Sequence, residues 1–323
     1  MEPPKDVVSI VGGSGPVYGM QLPVQSQSTM YTAPWETAAG PAEIARVARA
    51  ADEAGFFYVG VCDHTAIPER LAGAMSTVWY DTTATLGWLA GVTSRVRLLS
   101  HVLVLAQRHP LRAAKELSTL DLLSGGRLIV GVGAGHVPEE YELLTGGFDE
   151  RGHHTDEADS ALAHCFTDEF PELSGPRFPA REMGLGPRPV RQPRPPIWIG
   201  GSSPAAIRRT AAFGDGWLPQ GTRRRDLPGQ IARLRELRAE LRGGAPIDIG
   251  TIAEPIHLTT GGSGWDLPGW VLSGRGEEVA ESLRELVAMG VNHLQVRFMA
   301  RNAEEFCEQT ARFGVEVGPL LTQ

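Results

Sequence analysis

The stretch VGVCDHTAIP, residues 59–68, passes from an apolar run directly into an acid, an imidazole and a helix-breaking proline. An apolar run of this kind predicts a buried strand, and the residues that follow it then lie at the carboxyl end of that strand. Asp63 and His64 are therefore two titratable groups at a strand end. We expect them either to cap the local structure or to take part in catalysis.

Strand and helix patterns alternate on both sides of this stretch, as they do in chains of βα units with a parallel sheet. Strands are predicted over residues 18–24, 56–62, 96–105, 127–133, 196–201, 215–220, 247–258 and 292–298. Helices are predicted over residues 41–54, 80–93, 111–123, 149–166, 204–213, 226–241, 277–289 and 303–313. Eight repeats favour one α/β domain over residues 1–323, a (β/α)8 TIM barrel, because open sheets usually stop at about five to seven strands.

Two segments, 168–195 and 259–276, have no periodicity and are rich in glycine and proline. We expect both to leave the carboxyl ends of strands and to lie over the barrel mouth. Trp265 and Trp270 favour an ordered cover for the second segment, since disordered linkers seldom contain tryptophan.

Composition restricts the partners. The chain has 323 residues, 42% of them apolar, and a net charge of −8, which argues against nucleic acid or an anionic membrane as the main partner. Its three cysteines are widely spaced, which favours free thiols in a reducing compartment. No apolar run approaches the roughly 18 residues of a membrane span. We expect a cytoplasmic protein that acts on a small molecule.

Two glycine-rich motifs follow predicted strands. GVGAGHVPEE, residues 131–140, fails the dinucleotide-binding pattern GxGxxG because His136 stands where the third glycine is required. This motif still allows close approach of a flat or anionic group, and it places His136 at the barrel mouth. WIGGSSPAAI, residues 198–207, predicts either an anion-binding helix N-terminus or simply a capped helix, and the motif alone favours neither.

Histidine pairs raise the question of a metal. A barrel metallohydrolase would carry His-x-His on its first strand, and the segment YGMQLPV has none. His153 and His154 lie in a predicted amphipathic helix with acidic neighbours, which is typical of a solvated face. His101 and His109 make no further ligand set, so we predict no metal.

Taken together, the segments CDHTAIP, LLSHVLVLAQRHP, LDLLSGGRLIVGVGAG and PPIWIGGSSPAAIRRTAAFGDGWLP resemble the bacterial luciferase-like superfamily. Within it they are most similar to the oxidoreductases that use the deazaflavin coenzyme F420. The resemblance covers residues 18–315 approximately and rests on the order of several motifs. It implies a barrel that transfers a hydride between F420 and a small organic substrate, and members of the family are often homodimers.

The resemblance also implies roles for particular residues. Asp63 would contact the cofactor, and His64 would handle a proton beside its redox ring. His136 also follows directly from a strand end, so we expect it to share this proton work at the same mouth. The peptide between His101 and Val102 matches a position where the family often has a non-proline cis bond under the ring. The other implied cofactor contacts are Val104, Ala134, Gly135, Gly200, Gly201, Ser203 and Pro204.

One departure affects the substrate. The sugar-phosphate dehydrogenases of the family have a glutamate where this chain has His136, and they hold the substrate phosphate with lysines. Lys5 and Lys115 are the two lysines of this chain, and neither is expected near the pocket. The resemblance therefore argues against sugar-phosphate oxidation. Two alternatives stay open, namely a monooxygenase that takes reduced FMN and oxygen, and a barrel that binds flavin without catalysis.

Overall fold

The computed structural model describes residues 6–11, 15–28, 32–261 and 264–322, and these contain eleven strands. The strands are β1 (Val17–Gln21), β2 (Tyr58–Val61), β3 (Arg97–Ser100), β4 (Leu103–Val104), β5 (Leu128–Gly133), β6 (Ile197–Gly200), β7 (Gly216–Leu218), β8 (Asp248–Ile252), β9 (Ile256–Leu258), β10 (Leu272–Gly274) and β11 (His293–Gln295). The hydrogen-bonded order is β3-β2-β1-β11-β8-β7-β6-β5-β4, every pair is parallel, and β3 also pairs with β5.

The pairing of β5 with both β3 and β4 closes the sheet into a barrel of eight staves, since β3 and β4 are two halves of one stave. The stave is interrupted at the peptide between His101 and Val102, which is cis. Both the (β/α)8 architecture and the cis bond were predicted from the sequence, and the structure confirms them. The predicted continuous strand over residues 96–105 is wrong in this one detail.

Ten α-helices accompany the strands within the described residues. They are α1 (Pro41–Glu53), α2 (Glu69–Met75), α3 (Thr82–Val92), α4 (Pro110–Leu123), α5 (Pro138–Leu144), α6 (Arg151–Thr167), α7 (Pro204–Phe213), α8 (Leu227–Arg242), α9 (Gly276–Ala288) and α10 (Ala303–Arg312). The helices α1, α4, α5, α7 and α8 each have a proline in their first turn. Proline suits this position because the N–H groups of the first turn have no acceptor within the helix, so the N–H that proline lacks costs no hydrogen bond. The short helices α2 and α5 and the strand β10 were not predicted, and the strand predicted over residues 247–258 is divided into β8 and β9.

Large side chains fill the barrel by packing against glycines on neighbouring staves. A Cβ atom added at Gly19 would lie 2.5 Å from the Tyr58 ring, and one at Gly250 would lie 2.1 Å from the ring of His293. The His293 ring stacks on Trp198 with centroids 4.1 Å apart. The interior is therefore packed, and a ligand has access only where the staves end.

The segment 168–195 was expected to leave the carboxyl end of a strand and to lie over the barrel mouth, and this prediction is wrong. It begins at the C-terminus of α6, not at the end of a strand, and it packs along the outside of the barrel. Lys115 on α4 donates to the carbonyl of Gly186, and Arg188 donates to the carbonyl of Phe166 on α6 at 3.1 Å. Only the turn around Phe178 reaches the rim, where its ring meets His109 edge-on at 5.5 Å.

The segment 259–276 leaves β9, beyond the carboxyl end of β8, as expected. The Trp265 ring packs edge-on against His257 with centroids 5.7 Å apart, and the guanidinium of Arg301 lies 6.0 Å from that ring. This half of the loop is thus anchored at the mouth, whereas Trp270 is exposed. Among the described residues, no helix is both long and apolar enough to cross a membrane.

Candidate active site

Asp63, the first titratable residue after β2, is buried and fully engaged by protein groups. Its two oxygens accept 2.8 Å hydrogen bonds from Nη1 and Nη2 of Arg108. They also accept the backbone N–H of Val104 at 2.9 Å and the hydroxyl of Thr82 at 3.1 Å. Asp63 therefore joins the end of β2 to β4 and to the start of α3, and its contact with a cofactor stays a prediction.

The carboxylate that orients His64 is Glu140, not the neighbouring Asp63. Nδ1 of His64 lies 2.9 Å from Oε2 of Glu140, and Oε1 accepts the N–H groups of Thr65 and Ala66. Adjacent residues of an extended chain point in opposite directions, so Asp63 and His64 are directed to different partners. Burial raises the pKa of Glu140, but the hydrogen bonds from His64, Ala66 and Thr65 outweigh it, and the net pKa is below the usual value.

His136, which follows β5, lies beside His64. The two rings meet edge-on with centroids 5.3 Å apart, and Trp79 closes the other side of His64 at 4.5 Å. Burial lowers the pKa of His136, and the charge of His64 lowers it further, while Glu140 acts in the opposite direction. The prediction that both histidines share one mouth is confirmed, and their catalytic roles stay predictions.

The interrupted stave β3–β4 presents Val102 between two glycines. A Cβ atom added at Gly133 would lie 2.5 Å from the Val102 side chain, and one at Gly200 would lie 3.0 Å from it. Larger residues at either position would displace Val102. The two glycines thus hold an apolar side chain at a fixed place in the mouth.

The neighbouring positions form the rest of this wall. His101 is buried, Nε2 of Gln220 lies 3.5 Å from its Nε2, and burial lowers its pKa to about 4, so the imidazole is neutral at physiological pH. Gly135 has φ +77°, and its missing Cβ leaves room for Val104. The side chain of Val104 therefore packs directly on the backbone of Gly135 in this wall.

Helix α7 begins at the end of β6, as the motif predicted. Gly201 takes φ +110°, which favours glycine, and its carbonyl accepts Nε1–H of Trp217 at 2.8 Å. The hydroxyl of Ser203 accepts the N–H of Ala206 at 3.1 Å, with Pro204 as the first helical residue. Beside this turn is a cavity of about 390 Å³, lined by Ser202, Pro204, Ile207, Arg208, Gly229, Gln230, Arg233 and Leu237. The arginines and the helix start suit an anionic group.

The histidines considered for a metal have other surroundings. Nδ1 of His154 lies 3.1 Å from the hydroxyl of Tyr141, and His109 caps α4 by accepting the N–H of Leu111 at 3.3 Å. In the described part of the chain, no group of three or more potential metal ligands comes together.

Sequence reasoning missed three residues of the mouth, Glu140, Trp79 and Arg297. Glu140 stands in HVPEE, on a helix too short for its period to stand out in the sequence. Arg297 ends the alternating series His293, Gln295, Arg297, and this period of two indicates a polar stripe on the inner face of the last stave.

Comparison with known proteins agrees with this geometry. A model of the luciferase-like monooxygenase family matches residues 18–259. The chain belongs to this family. An uncharacterised protein of Mycobacterium tuberculosis is 33% identical over 222 residues, which are 64% of this luciferase-like chain and 75% of that protein.

Relatives with assigned activities match over about half their length. The F420-dependent glucose-6-phosphate dehydrogenase of Nakamurella multipartita is 32% identical over 55% of this chain and 52% of its own. The FMNH2-dependent dimethylsulfone monooxygenase of Pseudomonas putida is 28% identical over 53% of this chain and 47% of its own. The solved structure of the monooxygenase RslO1 from Streptomyces bottropensis is 22% identical with a TM-score of 0.75, over 94% of this chain and 99% of that one, which shows a shared fold.

Proposed function

We propose that this family member is an oxidoreductase that binds coenzyme F420 and transfers a hydride between the deazaflavin and a small organic substrate. The observation that carries the proposal is the pair of His64 and Glu140, set beside His136 at the barrel mouth. A hydride transfer to or from an oxygen-bearing carbon requires a proton to move at the oxygen, and an oriented imidazole suits that step near neutral pH.

The residues at the mouth fit a flat, phosphate-bearing cofactor. Val102, fixed between Gly133 and Gly200, offers an apolar surface for a ring, and the side chain of Val104 fills the space beside Gly135. Gly201, Ser203 and Pro204 at the start of α7 would hold a phosphate. When bound, a deazaflavin supplies the carbon that gives or accepts the hydride.

The chain itself would move the proton. The carboxylate of Glu140 accepts the hydrogen of Nδ1, so the neutral His64 ring carries its proton there and leaves Nε2 to exchange a proton with the substrate. Because its pKa is lowered, His136 is neutral at pH 7 and places no positive charge beside the His64 ring. The Trp79 ring shields the pair from one side.

Titration of the purified protein with F420 and, separately, with FMN tests the cofactor by fluorescence quenching. We expect F420 to bind at least ten times more tightly, a difference of ~1.4 kcal/mol. Gly200→Val is the informative variant, because its added side chain would meet Val102 and weaken binding, whereas Gly91→Ala at an exposed position of α3 is the control.

The other outcomes decide between the alternatives. Equal affinities, or tighter binding of FMN, would overturn the F420 assignment and favour a monooxygenase that uses reduced FMN. Binding of a cofactor without turnover of any carbonyl or alcohol substrate would favour a silent flavin-binding barrel. A cytoplasmic location and a homodimer stay predictions.

A further inference from the structure

An ion pair that the proposed proton transfer does not use lies at the end of the last stave. Nη2 of Arg297, two residues beyond β11, donates to Oε1 of Glu36 at 2.6 Å. Glu36 belongs to a 3₁₀ turn, Pro34–Ala38, and is only 1% exposed, whereas the Arg297 side chain keeps 15% of its surface exposed. The carboxylate is enclosed, and the guanidinium reaches the mouth.

Glu36 is held by donors other than Arg297. Its Oε2 accepts the N–H of Val24 at 2.9 Å, and its Oε1 also accepts the N–H of Ala33 at 2.8 Å. Val24 has φ +72°, a strained conformation that is rare for a β-branched residue. Such strain persists where the surroundings fix the backbone, and here it directs the Val24 N–H at Glu36.

The position of Arg297 follows from strand alternation. His293 packs inside the barrel and Gln295 hydrogen-bonds to His101, so Arg297 lies on the same inner face one step further toward the mouth. Its charge also acts on the Cys62 thiol, the residue directly before Asp63 and His64. Two strand spacings, about 10 Å, separate β11 from β2, so Arg297 and His64 follow staves that are only two apart.

Arg108, the other buried guanidinium of the mouth, differs from Arg297 in the use of its donors. Asp63 takes Nη1 and Nη2 of Arg108 in a bidentate pair. Glu36 takes only Nη2 of Arg297, and within the described residues the rest of that fork has no hydrogen-bonded carboxylate. An arginine fork with free donors is suited to a second carboxylate.

We propose that Arg297, held in place by Glu36, binds a carboxylate carried by the substrate. The inference rests on the proposed function and names its substrate class, a small carboxylic acid whose reacting carbon lies beside His64. A carboxylate fits better than a phosphate dianion, because Glu36 already neutralises one unit of charge at this site.

The test compares isosteric probes that differ in charge, benzoate with benzamide and acetate with acetamide, by calorimetric titration of the cofactor-free protein. We expect benzoate to bind wild type about ten times more tightly than benzamide, or ~1.4 kcal/mol. Arg297→Gln should abolish this preference and Arg297→Lys should keep part of it. Arg70→Gln should leave it unchanged, since Arg70 pairs with the exposed Glu139 on the rim.

A folding defect could also weaken benzoate binding in the Arg297 variants. Glu36→Gln controls for this, because it is expected to change benzoate affinity in the opposite direction. It keeps the guanidinium and removes its counterion, so benzoate should bind more tightly than in wild type. Equal binding of benzoate and benzamide by wild type would overturn the inference, as would an unchanged preference in a folded Arg297→Gln protein. Tighter binding of inorganic phosphate than of acetate would overturn the carboxylate assignment. Since no cofactor is present, failure here is separate from failure of the F420 titration.

Discussion

The two ends of the barrel both contain ion pairs, but they differ in what those pairs leave exposed. At the amino-terminal end, which we call the floor and define by Arg194, Asp215 and Asp248, the Arg194 and Asp215 side chains are each 1% exposed. At the mouth, the Arg108 and Arg297 side chains remain 18% and 15% exposed.

The carboxylates of the floor are occupied by the chain itself. Asp215 accepts the N–H groups of Val8 and Ile197, both at 2.8 Å, besides both arms of Arg194. Asp248 accepts a hydroxyl and two N–H groups from residues 9–11, as well as the indole N–H of Trp198. These contacts fix the N-terminal segment across the barrel. Arginines and carboxylates therefore close the floor, whereas at the mouth they leave donors for a ligand. This agrees with the general rule for such barrels, in which one end contributes stability and the other contains the active site.

The sharpest test at the mouth is His64→Ala. A general acid or base contributes about 10²- to 10⁴-fold, so we expect hydride transfer to slow by that factor. Cofactor affinity should change far less, because ring and phosphate contacts are mostly backbone. Single-turnover kinetics with F420 and a substrate that is turned over measure both quantities, and His153→Ala on the exposed side of α6 is the matched control.

The companion variant His136→Ala separates two roles. If His136→Ala slows hydride transfer about as much as His64→Ala does, His136 exchanges a proton with the substrate. A smaller decrease in rate indicates that His136 only positions the substrate. If both variants keep wild-type rates and lose thermal stability instead, the histidines merely cap strand ends, and the contrast between mouth and floor disappears.

At the floor, Asp215→Asn should act on stability and not on chemistry. The change leaves the Arg194 charge buried without a counterion, and breaking such a pair costs about 3–5 kcal/mol. Urea unfolding monitored by circular dichroism gives the value. Glu139→Gln is the control, since its pair with Arg70 is half exposed, and ion pairs at the surface contribute little to stability. Wild-type stability in Asp215→Asn combined with weakened F420 binding would contradict the division between the two ends.

Asp159 on α6 differs from the carboxylates at both ends of the barrel. It is buried, and neither of its oxygens has a hydrogen-bond partner among the described residues. Burial raises its pKa to about 8, with Arg209 opposing and Asp156 adding to the rise. The folded protein therefore keeps the proton that the unfolded chain loses near pH 4, and stability falls as the pH rises between those values.

Asp159→Asn, which cannot ionise, removes this dependence. Its stability relative to wild type should increase from pH 6 to pH 8, by at most about 1.4 kcal/mol per pH unit. Denaturant unfolding at several pH values measures the change. Asp149→Asn, at an exposed position just before α6, should show no such trend. A difference that is constant with pH would mean that Asp159 is ionised in the fold.

The sequence contained the fold and the placement of the histidines, but not their partners. The barrel follows from local alternation, and His64 and His136 follow from strand ends, since parallel strands point to one mouth. Glu140 lies on a helix of seven residues, too short for a helical period to stand out. Glu36 is 261 residues from Arg297, and only the closed sheet brings β11 next to β1. Partner identity is tertiary information that no local pattern carries.

Glu140→Gln tests the smallest effect, the orientation of His64 by a charge. The variant keeps the size of the side chain but lacks the carboxylate that accepts Nδ1–H, so about a tenfold slower hydride transfer is expected. Because the pKa of Glu140 is lowered, its pairing persists until the pH falls below the usual range for a glutamate, and the wild-type profile between pH 5 and 8 should contain no Glu140 step. Without this counterion the imidazolium is less favoured, and the pH of half-maximal rate should move downward.

Glu139→Gln, one residue away and exposed, should leave the pH profile of the rate unchanged. An identical pH profile of the rate in Glu140→Gln and wild type would mean that Glu140 has only a structural role, the binding of the N–H groups of Thr65 and Ala66. The pair of His64 and Glu140 at the mouth would then serve the same purpose as the ion pairs of the floor.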